Sequence, residues 1–245
     1  MISAKHINLL FNSAQVLKDI HFDLQSGQVA TIIGPSGSGK TTLLRVLCLL
    51  ERPDSGTLLI DDLKYHFPLE ELEVGQEPWP RVTFVFQDLY LWPHLTLRQN
   101  ILLPFKVNGK EAIKKVEEEF QELVSTLSLQ ECLDRRPHEV SGGEKQRAAI
   151  VRAILLHPRY LLLDEITSAL DIEQVAVILG LLSDLRERGQ GMVIVSHHLE
   201  FAKRVSNQVY FLDEGKIVES GPPEILDQPK TDRLERFLEF IKKAR

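Results

Sequence analysis

The sequence predicts an α/β protein whose sheet is mainly parallel. Residues 29–33 form a short apolar run that is typical of a strand buried on both faces, and residues 160–164 read as an apolar strand that ends in an acidic residue. Between and after them, apolar residues recur at helical spacing among charged ones. Strands that alternate with helices form parallel sheets, in which nucleotide-type sites lie at the carboxyl ends of the strands. The fold class therefore also predicts where a functional site would lie.

The first third of the chain is predicted to consist mostly of strands. Ile20, Phe22 and Leu24 alternate with polar residues, which is the period of two of a half-buried strand. In chain order, strands are predicted at 20–24, 29–33, 56–60 and 81–86, with a helix at 41–50. The segment 61–80 is rich in Pro, Glu and Asp and is predicted to be an exposed connector.

The middle of the chain is predicted to be helical. Apolar residues fall at helical spacing among Lys and Glu between 111 and 127, after a shorter helical stretch at 96–105. The last third returns to alternation, with strands at 160–164 and 192–195 and helices at 172–188 and from about 198. We expect a single domain, 1–245, in which 1–87 and 158–245 form the core and about 88–157 form an inserted helical subdomain.

Composition limits the classes of function. The 245 residues can bury one sizeable core, and a net charge of −6 argues against broad binding of nucleic acid. Cys48 and Cys132 have no metal-type spacing and are expected to be buried free thiols of a cytosolic protein. We find no basic-then-apolar leader and no apolar run near the roughly 20 residues of a membrane span. Work at a membrane would therefore need a partner.

A phosphate-binding loop follows the strand at 29–33. Residues 34–41 read GPSGSGKT and fit G-x-x-x-x-G-K-[ST] between a strand and a helix, which predicts a P-loop NTPase core. The glycines let backbone N–H groups point at the phosphates, Lys40 reaches the β- and γ-phosphates, and the Thr41 hydroxyl can ligate Mg²⁺. The predicted ATP-binding residues here are Gly34, Pro35, Ser36, Gly37, Ser38, Gly39, Lys40, Thr41 and Thr42.

Two carboxylates end the strand at 160–164. Asp164 is placed to hold Mg²⁺ and Glu165 to polarise an attacking water. An acidic pair after a strand is on its own better explained as a solvated loop. Together with the phosphate loop, the pair predicts hydrolysis of a nucleoside triphosphate.

A third motif indicates which kind of hydrolysis. Residues 140–147 read VSGGEKQR, and Ser141 with two glycines opens a predicted helix at about 144–156. A capped helix would explain this stretch alone. The motif resembles the signature sequence of ATP-binding-cassette (ABC) ATPases, and the resemblance covers nearly the whole chain in the family's order. It implies an N-terminal antiparallel β subdomain, ATP and Mg²⁺ as ligands, and ATPase activity.

The resemblance also implies roles for single residues. Gln87 corresponds to the Q-loop glutamine, which contacts Mg²⁺ or water and senses a membrane partner; otherwise it is a surface glutamine. Asp171 corresponds to the D-loop aspartate and also reads as a helix N-cap. His197 corresponds to the switch histidine that contacts the γ-phosphate, although a lone histidine after a strand is more often structural. The neighbouring His198 does not match the motif.

Two positions depart from the family pattern. Phe11 stands where the family usually has a tyrosine that stacks on adenine, beside an apolar residue that is Val16 here. Phenylalanine keeps the π-face, so stacking should survive, with a core phenylalanine as the alternative. Ile166 replaces the family's proline after the acidic pair, which removes a backbone constraint on Glu165.

In this family one site needs two subunits. The resemblance implies a two-fold homodimer, in which the signature residues of one copy, Ser141, Gly142, Gly143 and Glu144, act on ATP held by the phosphate loop of the other. It further implies transmembrane permease subunits and a periplasmic or lipid-anchored solute-binding protein, while the net charge leads us to expect no nucleic-acid partner. The expected location is the cytoplasmic face of the inner membrane, as a peripheral subunit.

The transported solute is indicated less directly. Residues 91–97, with Asn100 and Ile101, and the tail at 233–238 are similar to ATPases of bacterial polar amino acid importers, such as those for arginine, glutamine or histidine. Alternatively, Trp92 and Leu95 simply pack in the helical insert. Competing functions are mechanical work in lipoprotein extraction or cell division, and action on ribosomes or DNA. A non-enzymatic module would need a damaged site, whereas the motif residues are all present.

Overall fold

Two β-sheets form the framework of the structure. The computed structural model describes residues 1–12, 14–69, 71–72, 75–106, 109–167, 170–196 and 198–243. The strands are β1 Ile2–Phe11, β2 Ala14–Leu24, β3 Val29–Ile33, β4 Ser55–Ile60, β5 Leu63–Phe67, β6 Val82–Val85, β7 Tyr160–Asp164, β8 Gly191–Val195, β9 Gln208–Asp213 and β10 Lys216–Gly221. The helices are α1 Lys40–Leu47, α2 Leu97–Lys106, α3 Lys110–Thr126, α4 Gly142–Ile154, α5 Ile172–Glu187, α6 Leu199–Val205 and α7 Asp232–Lys243, with 3₁₀ turns at Gln130–Cys132, Pro137–Glu139 and Pro223–Leu226.

The larger sheet has the order β10-β9-β3-β8-β7-β6. Its strands from β9 to β6 run parallel, and β10 pairs antiparallel with β9. The predicted mainly parallel sheet is thus confirmed. Because Asp164 lies opposite Val195 and Ile33 opposite Phe211, the strands that precede the predicted motifs end at one edge. The chemistry-bearing loops therefore meet there.

The smaller sheet is antiparallel, with the order β2-β1-β4-β5. Ile20, Phe22 and Leu24 are buried in β2 while the residues between them are exposed, so the predicted alternation is confirmed. The expected antiparallel β subdomain has its strands in this sheet.

The buried strands separate two hydrophobic clusters. Leu161 and Leu163 of β7 face the side that also contains α2 to α5, whereas Tyr160 and Leu162 face α1 and the small sheet. Burial on both faces explains why this strand reads as a continuous apolar run rather than an alternating one. Cys48 and Cys132 are buried free thiols, as predicted, and burial raises the pKa of Cys48 to about 12.

The prediction of an exposed connector at 61–80 is wrong for part of that segment. Residues Leu63–Phe67 form β5, with Tyr65 and Phe67 buried. The Tyr65 hydroxyl donates to the backbone oxygen of Gln76 at 2.5 Å. The strand is short and lies in a Pro- and Glu-rich stretch, and that composition concealed its alternation of apolar and polar residues.

Helix lengths bear on how the chain could meet a membrane. Across the described ranges, each helix is too short or too polar to cross a lipid bilayer.

Candidate functional site

One cleft collects residues from three motifs that lie far apart in the sequence. Its wall contains residues of the phosphate loop, the predicted catalytic glutamate, and Gln87, which follows β6 and was predicted as the Q-loop glutamine. The lining residues are Val16, Ser36, Gly37, Gly39, Lys40, Thr41, Thr42, Gln87 and Glu165. Each of them is among the residues predicted to bind ATP or to act in its hydrolysis. Their convergence at the carboxyl edge of the sheet follows from the strand order.

The ammonium group of Lys40 is buried beside the phosphate loop. Lys40 is the first residue of α1, is only 6% exposed, and its Nζ donates to the backbone oxygens of Gly34 at 3.0 Å and Pro35 at 2.7 Å. Burial lowers the pKa of Lys40, and the charges of Glu165 and Asp164 oppose that shift. A desolvated ammonium at a helix N-terminus favours an anion as its partner.

Two glycines of this loop are required by its backbone. Gly39 is the N-cap of α1 with φ 103°, in the left-handed region that favours glycine. An added Cβ at Gly34 would overlap the backbone oxygen of Leu212 on β9. The loop therefore lies against β9 more closely than any side chain would allow. Within it, the buried Ser38 Oγ has no hydrogen-bond partner among the described residues, so it remains available to a ligand.

The carboxylate of Asp164 is buried at the end of β7. It is 1% exposed, and its Oδ1 accepts no hydrogen bond from the part of the chain that the structure describes. Burial raises the pKa of Asp164, while a hydrogen bond from the Thr41 hydroxyl and the charge of Lys40 act in the opposite direction. A buried, incompletely satisfied carboxylate beside a hydroxyl fits a hard divalent cation with oxygen ligands.

Glu165 is held from several sides. Its backbone has φ 49°, in the left-handed region, and its N–H donates to the Val195 oxygen at 3.1 Å. Its Oε2 accepts from Nε2 of Gln87 at 3.3 Å, so the two predicted catalytic residues are in contact. The next residue, Ile166, is 1% exposed and packs in the larger hydrophobic cluster. An apolar side chain thus anchors the position where the family pattern has proline.

Gln146 is a site residue that the sequence analysis missed. Its Nε2 donates to the backbone oxygen of Glu165 at 3.4 Å, and the side chain is 3% exposed. It lies on α4 at helical spacing from Ala149, Ile150 and Ala153, all of which are buried. A polar residue on an apolar helix face indicates an internal hydrogen-bond partner, and that signal could have identified it.

Arg152, also on α4, was missed as well. Its guanidinium donates to the backbone oxygens of Leu89 at 2.7 Å and Tyr90 at 3.0 Å. Both of these residues have left-handed backbones, with φ 56° and 43°. Burial lowers the pKa of Arg152. The helix that follows the signature motif therefore fixes the turn just after Gln87.

The signature residues are not among the described residues that line this cleft. Ser141 caps α4, where its Oγ accepts from the N–H of Glu144 at 3.2 Å. Oε2 of Glu144 accepts from the N–H and the hydroxyl of Ser141, each at 2.7 Å, and the hydroxyl bond is the main reason that the pKa of Glu144 is lowered. At Gly143 an added Cβ would lie 2.5 Å from Oε1 of Gln174, so α4 and α5 approach closely there. Gly142 begins α4, two residues before the predicted start of the helix.

The other predicted residues have different placements. Phe11 is 42% exposed at the end of β1, which argues against the core alternative. Asp171 is the N-cap of α5, with its carboxylate accepting from the N–H of Gln174 at 2.8 Å. His197 lies outside the described residues.

Similar sequences occur among known proteins. Residues 17–168 match the model of a protein family described as ABC transporter. The glutamine transport ATP-binding protein of Escherichia coli K12 is 42% identical over 98% of this chain and 100% of its own length. The L-cystine import ATP-binding protein TcyN of Bacillus subtilis is 42% identical over 98% and 93%, and the arginine transport ATP-binding protein ArtM of the same organism is 41% identical over 98% and 100%.

Solved structures show the same fold. The dimeric structure of MJ0796, a bacterial ABC transporter cassette, has a TM-score of 0.82 at 29% identity and covers 91% of this chain and 99% of its own. A post-hydrolysis dimer of the same cassette, bound to ADP and Pi, has a TM-score of 0.81.

Proposed function

The chain belongs to the ABC transporter family as an ATP-hydrolysing cassette, and from this premise we propose that it energises import of a polar amino acid. ATP hydrolysis is supported by the cleft that Lys40, Gln87 and Glu165 line together, and import by the relatives named for amino acid transport. This cleft joins an anion-binding loop to a glutamate that is held in place. Such a pair is what transfer of a phosphoryl group to water requires.

In the proposed mechanism the phosphate loop binds the β- and γ-phosphates of ATP. The phosphates replace the Gly34 and Pro35 oxygens as partners of the Lys40 ammonium, which removes part of the cost of its burial. The loop N–H groups and the N-terminus of α1 add partial positive charge.

The same cleft would hold Mg²⁺ through Thr41, Asp164 and Gln87. The buried Oδ1 of Asp164 and the adjacent hydroxyl of Thr41 support this assignment. When bound, Mg²⁺ neutralises charge that develops on the phosphates. The carboxylate of Glu165 then orients and deprotonates the attacking water, and Gln87 and Gln146 keep Glu165 in position. His197 completes the set as the proposed contact to the γ-phosphate.

The adenine base is proposed to stack on Phe11 beside Val16. Phe11→Ala should weaken binding of ATP and GTP by a similar factor, by about 1–3 kcal/mol, because stacking uses the ring face and does not read the base edge. Titration of a fluorescent nucleotide analogue, with ATP and GTP as competitors, measures both affinities. Leu10→Ala is the matched control, since Leu10 is 46% exposed on the same strand. Unchanged ATP affinity in Phe11→Ala would show that the ring points elsewhere.

A second copy of the chain is proposed to complete each site. Ser141, Gly142, Gly143 and Glu144 are absent from the residues that line the cleft, so they are free to act on ATP held by another copy. The dimeric form of the MJ0796 cassette supports an assembly of two copies. Asp171, at the start of α5, is proposed to lie between the copies.

Import is favoured over mechanical work because the relatives compared above are named for amino acid transport. We place the dimer at the cytoplasmic face of the inner membrane, bound to permease subunits and served by a solute-binding protein. Co-purification from membranes, followed by ATPase assays with glutamine, arginine or cystine and the binding protein, tests the proposal. ATPase activity that no solute stimulates, in a complex with a permease, would contradict it.

The surface that meets the permease is proposed to contain the segment after Gln87. Tyr90 and Trp92 are 56% and 54% exposed, whereas Leu91 packs against the larger hydrophobic cluster. If the permease covers Trp92, this side chain would be an aromatic hot spot of the interface. Trp92→Ala should therefore lower solute-stimulated ATPase at least about tenfold and leave ATP binding intact. Trp79→Ala is the matched control, because Trp79 is 44% exposed on a different segment. Equal stimulation of both variants would remove this segment from the interface.

A further inference from the structure

Two histidines and an aspartate lie together on the exposed face of the small antiparallel sheet. Oδ1 of Asp19 is 2.9 Å from Nδ1 of His6 and 3.3 Å from Nε2 of His21. One ligand atom from each of the three side chains lies within 4.8 Å of the others. The side chains of His6, Asp19 and His21 are 71%, 65% and 49% exposed, so an ion from solvent can reach them.

Two compensating bulges bring these residues together. Ala4 pairs with Phe22 and Ile7 with Ile20, so β1 has one more residue than β2 between these pairs. Ile7 pairs with Ile20 and Leu9 with Leu17, so β2 has the extra residue in the next interval. The original register returns where Leu9 pairs with Leu17, and each of these two bulges contains one residue with a left-handed backbone, His6 at φ 54° and Asp19 at φ 50°. Bulges redirect side chains, and here both redirected side chains are metal-ligand types.

Asn8 fixes both bulges. Its Nδ2 donates to the backbone oxygen of His6 at 3.0 Å, and its Oδ1 accepts from the N–H of Asp19 at 2.9 Å. A single carboxamide thus stabilises two strained backbone positions, which cost about 1–2 kcal/mol each for residues other than glycine. The ligand side chains are therefore supported by a backbone that is already organised.

We propose that His6, Asp19 and His21 bind a divalent transition-metal cation of the Zn²⁺ class, which would link β1 to β2. Two imidazoles and one carboxylate are typical ligands for such cations, with water completing the coordination. Mg²⁺ and Ca²⁺ prefer oxygen ligands, so this site differs in chemistry from the one proposed at Asp164. Asp19 would exchange its contacts with the His6 and His21 rings for a shared bond to the cation.

Binding here has a structural consequence for the nucleotide cleft. β1 and β2 continue from the cluster to their connecting turn, where Phe11 pairs with Ala14, and Val16 of β2 lines the cleft. A cation held by both strands would restrain the hairpin that presents Phe11 and Val16. The proposal does not depend on ATP hydrolysis, and its failure would leave the proposed function intact.

Zn²⁺ binding to the nucleotide-free protein tests the proposal. Isothermal titration with ZnCl₂ in excess Mg²⁺ should show one saturable site, and Zn²⁺ should raise Tm. Asp19→Asn keeps a residue that tolerates the left-handed backbone but removes the charge, and His21→Ala removes one ligand and leaves the bulges. Both variants should bind Zn²⁺ at least about tenfold more weakly, since even outer-shell changes cost about 10–100-fold.

His66→Ala is the matched control, because His66 is an exposed histidine on β5 of the same sheet. It should bind Zn²⁺ like the wild type. Tm values in EDTA establish that each variant is folded; should His21→Ala unfold, Asp19→Asn decides. The proposal is overturned if wild-type protein shows no saturable Zn²⁺ site, or if the folded variants bind as tightly as the wild type.

Discussion

Replacing Glu165 by glutamine is expected to lower ATP hydrolysis by about 10²–10⁴-fold while ATP binding persists. Glutamine keeps the shape of the side chain and its contact with Gln87, but it loses the negative charge and the basic lone pair that activates water. The backbone should be undisturbed, because the N–H of residue 165 still donates to the Val195 oxygen. The variant should therefore close into an ATP-dependent dimer that cannot open by hydrolysis.

Steady-state ATPase assays and a sizing column with and without ATP measure the two effects. Glu214→Gln is the matched control, since Glu214 also has a left-handed backbone, with φ 46°, but lies outside the cleft. Hydrolysis at the parent rate in Glu165→Gln would remove this residue from the mechanism. A variant that binds ATP and stays monomeric would argue against the site shared by two copies.

Replacing Lys40 by alanine is expected to weaken ATP binding by about 10–100-fold and to abolish the ATP-dependent dimer. Hydrogen bonds to charged groups contribute about 1.5–3 kcal/mol, and Lys40 is the cation that the phosphate loop places beside the phosphates. The stability of the nucleotide-free protein should fall less than the affinity for ATP, because the cost of burying the Lys40 ammonium offsets part of its bonds to Gly34 and Pro35. Burial lowers the pKa of Lys40, which means that the folded protein without nucleotide disfavours the charged form.

Nucleotide titration and urea unfolding without nucleotide separate these effects. Lys64→Ala, at an exposed position on β5, serves as the control for loss of a lysine. ATP affinity that is unchanged in Lys40→Ala would contradict the role assigned to the loop. A large loss of apo stability would instead show that Lys40 mainly supports its own loop through Gly34 and Pro35.

The sequence was sufficient to predict the parts of the site that depend on local spacing. The phosphate loop and the acidic pair each follow an apolar strand, and parallel strands bring such loops to one edge. Contacts between distant segments were not predictable in this way. The bonds from Gln146 to Glu165 and from Arg152 to Leu89 join α4 to loops that are 19 and 63 residues away. The apolar helix face around Gln146 indicates that it has an internal partner, but no local pattern specifies which residue that partner is.

Composition led to a wrong prediction at strand β5. β5 lies in a segment whose Pro and Glu content indicated a connector, although Tyr65 and Phe67 bury a face of the small sheet. For Phe11 the sequence left a core position open as an alternative to stacking, because a single aromatic residue near a strand end fits both roles, and its exposure argues against the core position.

Because Arg152 is hydrogen-bonded to the turn after Gln87, we expect that turn and α4 to move as one unit. The guanidinium bonds hold Leu89 and Tyr90 to the helix whose other end begins at the signature residues. A rotation of α4 would therefore be expected to displace the segment around Trp92 together with the N-terminus of α4. If the proposed permease contacts Trp92 and the signature residues meet a second copy, movement at the permease would be coupled to the approach of the two copies. Loss of the Arg152 bonds would weaken that coupling.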